Sequence, residues 1–84
     1  MQINETWAIS VERIKEFFSG QDDVIQIRED IFSCDGCRII VTSLSPRLTG
    51  GLCFPQTKIE FIGPDPDITD IHQRFVLQFI SAGG

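Results

Sequence analysis

Residues 24–44 read VIQIREDIFSCDGCRIIVTSL, two β-rich runs on either side of Asp35-Gly36. A two-residue Asp-Gly between such runs favours a tight hairpin, because both residues tolerate the positive φ of a type I′ turn. Placing Cys34 opposite Cys37 sets the register: Phe32 falls against Ile39, Ile31 against Ile40, and Ile27 against Leu44. One face of the hairpin then carries Ile25, Ile27, Ile31, Ile40 and Leu44, and the other carries Phe32, Ile39 and Val41 among polar residues. The isoleucine-rich face is the expected core. Glu29 and Thr42 fall on that face too, which predicts either a bulge near Glu29-Asp30 or a place for both at the sheet margin.

Toward the N-terminus, Trp7, Val11, Ile14 and Phe18 recur at spacings of four, three and four. That periodicity predicts a helix with one apolar stripe, leaving Glu12, Arg13, Lys15 and Glu16 to water. Asn4 or Thr6 could cap it. Ser10 is an equally good N-cap, in which case residues 5–9 form an extended lead-in. Gly20 is placed to close the helix in a left-handed C′ conformation.

Toward the C-terminus, Ser45-Pro46 and Thr49-Gly50-Gly51 mark a loop, since proline interrupts strand pairing and paired glycines permit positive φ. A third strand follows at about residues 56–62, with Ile59 and Phe61 to one side and Lys58 and Glu60 to the other. Gly63-Pro64-Asp65-Pro66-Asp67 then delivers an N-cap at Asp65 and a proline at N1. The second helix carries the stripe Ile68, Ile71, Phe75 and Phe79 and stops before Gly83-Gly84, although FVLQFI at 75–80 also has the composition of a strand. The expected architecture is α+β in the order αβββα, a three-stranded antiparallel sheet with both helices packed on one face.

At 84 residues, 42% hydrophobic and with seven Phe, the chain holds enough apolar side chain for one core, and 1–84 reads as a single domain. Such a small domain cannot cover all of this material internally. A homodimer burying the second sheet face, Phe32, Ile39 and Val41 with Leu52 and Phe54 from the loop, is therefore the expected assembly. Twelve acidic against seven basic residues give a net charge of −5, which disfavours nucleic acid and anionic lipid and would steer the protein toward a basic protein partner. No run approaches the roughly 18–20 apolar residues of a membrane span, and MQINETW has no signal-peptide character. Three cysteines, an odd number without a secretory signal, point to a reducing, cytoplasmic setting.

Chemistry-bearing residues are few. Cys34 and Cys37 form a CxxC whose spacing suits thiol redox exchange or half a zinc site. Redox pairs of this spacing usually sit at a helix N-terminus, whereas Asp35-Gly36 is a turn, and a zinc site would need Cys53 and His72 to complete it. Structural cysteines therefore rank above a labile cross-strand disulfide, and that above a metal. His72 is the sole histidine and lies off the apolar stripe; Arg47 stands in a glycine-bearing loop. Either could orient an anion in a groove between helices and sheet. Asp65, Asp67 and Asp70 are explained by capping and by the helix dipole. No cofactor is implied. The leading expectation is a small interaction or binding module, with an inhibitor- or antitoxin-like acidic protein as one variant of it, and redox or metal chemistry at Cys34/Cys37 and small-ligand binding are the alternatives.

Overall fold

The computed structural model describes residues 1–83, in the order β1 (Gln2–Trp7), α1 (Val11–Ser19), β2 (Val24–Arg28), β3 (Ile31–Cys34), β4 (Cys37–Thr49), β5 (Leu52–Ile62) and α2 (Asp65–Gly83). The strands form one sheet in the order β1-β5-β4-β3-β2, and every neighbouring pair is antiparallel. The fold is α+β with two helices, but the expected three-stranded sheet is corrected to five strands. Both added strands have a local cause.

The first is β1. Ile3, Glu5 and Trp7 alternate toward the helices, and Trp7 lies opposite Thr57 of β5. Helix α1 begins only after Ser10, whose φ of −63° and ψ of 146° are the extended geometry of an N-cap. Trp7 is four residues from Val11, so a strand residue mimicked the first position of a helical stripe. Gly20 closes α1 at φ −83°, not in the expected left-handed conformation, and its N–H donates to Glu16 and Phe17 carbonyls.

The second added strand comes from the run 24–34, which folds back on itself at Glu29-Asp30. Val24 lies opposite Cys34 and Ile25 opposite Ser33, with a register shift between Gln26 and Arg28. The predicted irregularity at Glu29-Asp30 is thus a second hairpin turn, and Ile27 does not meet Leu44. Across Asp35-Gly36 the expected register is observed, Cys34 opposite Cys37, Phe32 opposite Ile39 and Ile31 opposite Ile40. Only Asp35 takes positive φ, 51°, so the turn is not type I′, which requires it at both positions.

The segment expected to be a loop is a ribbon. Gly50 and Gly51, at φ 56° and 82°, make the two-residue turn of a third hairpin in which Thr49 faces Leu52. One extra β4 residue is absorbed between Leu44 and Arg47, at Ser45-Pro46. β3 pairs with β4 only to Ile40, and β1 with β5 only from Thr57 onward. Residues 43–56 therefore project as a two-stranded arm, where Pro46 and Pro55 cost no sheet pairing beyond the arm. The arm stretches the molecule to 42 Å in one direction, with a radius of gyration of 12.9 Å against about 12 Å for a compact chain of this length.

The two sheet faces are exchanged relative to expectation. Phe32, Ile39 and Val41 are buried beneath the helices together with Val24, Cys34, Cys37, Ile59 and Phe61, while Ile25 and Ile27 are exposed. Counting isoleucines misjudged the faces because two cysteines behave as core residues here, and because the pairings Ile39–Phe61 and Val41–Ile59 add two large side chains to the other face. Phe32, Ile39 and Val41 therefore cannot form a dimer surface. Above them Phe18 stacks on Phe75 at 5.6 Å, and Trp7 meets the same ring edge-on at 5.1 Å. The α2 stripe Ile68, Ile71, Phe75 and Phe79 is buried as predicted, and FVLQFI is helical. Gly84 lies outside the described residues.

Candidate functional site

Three clusters contain the chemistry-bearing side chains, and among the described residues no hydrogen bond or ion pair links one to another. The first joins α2 to the start of β2. Arg74 donates from Nη1 and Nη2 to the two Asp23 carboxylate oxygens at 3.0 and 2.7 Å, to Asp70 at 2.8 Å and to Gln21 at 3.1 Å. This bidentate pairing holds the Asp23 carboxyl down at about 2 and raises the guanidinium pKa. Arg74 Nε is buried without a partner among the described residues.

Cys34 touches this cluster, its thiol donating to Asp23 at 3.6 Å. Both Cys34 and Cys37 are free and buried. Burial, then the adjacent Asp23 charge, push the Cys34 thiol up to about 12, and burial also raises Cys37. A thiol so disposed to stay protonated is a poor nucleophile and a poor metal ligand. Asp23, Cys34 and Asp35 do bring ligand atoms within 4.8 Å of one another. Yet Asp23 is committed to Arg74, whose positive charge opposes a cation at the same carboxylate. Cys53 is exposed on the arm and His72 sits on α2, so the four-ligand zinc set is not assembled.

The second cluster joins β1 to α2. Glu5 Oε1 accepts from Trp7 Nε1 at 3.0 Å and lies 3.0 Å from His72 Nε2, whose ring stands edge-on to Phe61. His72 thus has a carboxylate partner on a strand that the sequence did not reveal. Neither Arg47 nor a thiol is among its partners.

The third cluster is the helix-free sheet face with the arm. Pairing puts Ile25, Ile31, Ile40 and Ile62 on that face, and Arg28, Arg38 and Lys58 among them. On the arm, Leu44, Arg47, Thr49, Leu52, Phe54 and Gln56 share the continuation of the same face, while Leu48 and Cys53 point the opposite way. Leu48 is 76% and Leu52 62% exposed. At the root of the arm a shallow groove of about 330 Å³ is lined by Ala8, Arg47, Thr49, Phe54 and Gln56. Leu52, Phe54 and Arg47, singled out in the sequence, are therefore neighbours on one surface, whereas Arg47 and His72 belong to opposite sides of the sheet.

No known protein family matches the chain, and no curated protein does either. No helix among the described residues is long and apolar enough to cross a membrane.

Proposed function

We propose that this protein is a protein-interaction module whose contact surface is the helix-free sheet face extended by the β4–β5 arm. One observation carries the reading: the arm holds exposed Leu44, Leu48, Leu52 and Phe54 while contributing no side chain to the buried core. A two-stranded ribbon is marginal by itself in water, and a monomer gains nothing from extending one with leucines on both sides. Its two free edges add rows of backbone donors and acceptors that a partner strand can pair. The thiol and ion-pair clusters, by contrast, are accounted for by the packing of α2 against the start of β2.

The test uses Cys53, the exposed cysteine of the three. A photo-crosslinker attached there is activated in native extract, and the Leu52→Ser/Phe54→Ser double variant serves as the reference. The proposal expects discrete crosslinked species that the double variant loses while its melting temperature stays unchanged. Equal crosslinking by both proteins would end it.

A further inference from the structure

Charge is segregated in this molecule in a way its net value conceals. Residues 36–59 contain no Asp or Glu, although the chain has twelve. The helix-free face and arm carry Arg28, Arg38, Arg47 and Lys58 against the single carboxylate Glu60, which Lys58 meets at 3.5 Å. Four cations and one carboxylate make this side +3, so the rest of a chain at −5 carries −8. The acidic excess sits largely with the helices and the loops that lead into them, at Glu12, Glu16, Asp22, Asp65 and Asp67 among others.

We infer that the occupant of the helix-free face and arm is an acidic protein segment bearing apolar side chains, added as a strand along the arm. This rests on the interaction-module reading and names the partner class for it. Charge complementarity selects the sign, since a basic surface steers an acidic partner and rejects a basic one. That reverses the partner sign expected from net charge alone. Alternation selects the form. Successive side chains of an added strand go to opposite faces, so a strand alternating carboxylate and aliphatic residues sets its carboxylates on the face of Arg47 and its aliphatic side chains on the face of Leu48 and Cys53. The unpaired arm edges select a polypeptide over a bilayer, because lipid leaves backbone N–H and C=O groups unsatisfied whereas a strand pairs them. Nucleic acid is disfavoured because Phe54 is the sole aromatic side chain of residues 36–59, which leaves no row of rings on which successive bases stack. A second copy docked face to face would bring two surfaces of the same positive sign together, a like-charge contact.

The full chain is titrated with a fluorescent twelve-residue peptide alternating Glu and Val, and with its Lys-Val counterpart, while backbone amide shifts are followed by NMR. The Glu-Val peptide is expected to bind at least tenfold tighter at low salt, to shift amides of residues 42–56, and to lose tenfold or more in affinity with Arg47→Glu/Lys58→Glu. Equal affinity for the two peptides, shifts confined to α1 and α2, or indifference to the charge reversal would overturn the inference. So would co-sedimentation with phosphatidylserine vesicles in the absence of peptide binding, or a dimer abolished by Leu52→Ser. Crosslinking at Cys53 that survives such a result would leave the interaction-module reading standing, and equal crosslinking by the arm variant would remove both.

Discussion

Gly63 sits where the chain turns from β5 into α2, at φ 152°, and a Cβ built there would lie 2.8 Å from Cys37 Cα and Cβ and 2.9 Å from the Gly36 carbonyl. Backbone cannot give way as a flexible side chain can. Gly63→Ala is therefore expected to cost about 2 kcal/mol or more, combining an unfavourable φ with overpacking, in urea unfolding followed by circular dichroism. Gly20→Ala is the control: φ is −83° and the nearest atoms stand 3.5 Å from the new Cβ, so it should be neutral or stabilise by a few tenths of a kcal/mol. Equal losses at the two positions would refute the close-approach account. Asp23 acts electrostatically. Its carboxyl, lowered from 3.8 to about 2 by Arg74, adds stability that is fully present above pH 4 and lost as pH falls toward 2. The Asp23 side chain is 42% exposed, so water screens the pair to about 1 kcal/mol. Asp23→Asn should remove that amount at pH 7 and flatten the stability curve between pH 4 and 2; an unchanged acid limb would show that the ion pair contributes nothing. Asp70 and Arg74 are four residues apart on α2, but Asp23 is 51 residues from Arg74, and Glu5 is 67 from His72. No local spacing signals such partners, and β1 had to be known before Glu5 could be placed opposite α2.

At the scale of elements, β4 and β5 each divide into a part packed beneath the helices and a part that stands alone. Ile59 and Phe61 are fully buried, while Leu52 and Phe54 on the same strand are exposed. Opening free energy should follow that division. Hydrogen exchange is expected to be at least about a hundredfold faster for amides of residues 44–54 than for those of 58–62, and uniform protection along β5 would mean the arm is ordered by contacts beyond those described. The thiols report the same division: Cys53 should react with a disulfide reagent at once, with Cys34 and Cys37 reacting only as the fold opens. Helix α2 was legible because its stripe and acidic first turn agreed, although it starts at Asp65 itself, one residue before the expected Pro66, with the Pro64 carbonyl accepting from Ile68. The arm was not, since Pro46 and Gly50-Gly51 are loop residues wherever a strand has neighbours to pair with, and are tolerated here because the ribbon has none. The choice of core face failed for a related reason. A hairpin considered alone gives two comparable faces, and only the pairing of β4 with β5 brings Ile59 and Phe61 to decide between them.

Across the whole molecule, shape and charge divide along the same line. The helices, with an acidic exterior, cover one face of the sheet, and the other face is basic, apolar and continuous with the arm. If the arm is a contact device rather than part of the folding unit, replacing residues 44–56 by Asn-Gly between the facing pair Ser43 and Thr57 should leave the body intact. The exchange removes thirteen residues and adds two, none of them in the buried core, and retains the Thr57 hydroxyl donating to the Ile9 carbonyl at 2.6 Å. The 73-residue product is expected to unfold within about 1 kcal/mol of the parent, because exposed leucines contribute little burial. Its radius of gyration from solution scattering should fall from 12.9 Å to about 11 Å. A shortened chain that fails to fold would assign the arm a structural role and remove the main support for a contact surface. One that folds normally but no longer binds the acidic peptide would locate recognition in the arm, and retained binding would move it onto the sheet face at Ile25, Arg38 and Ile40.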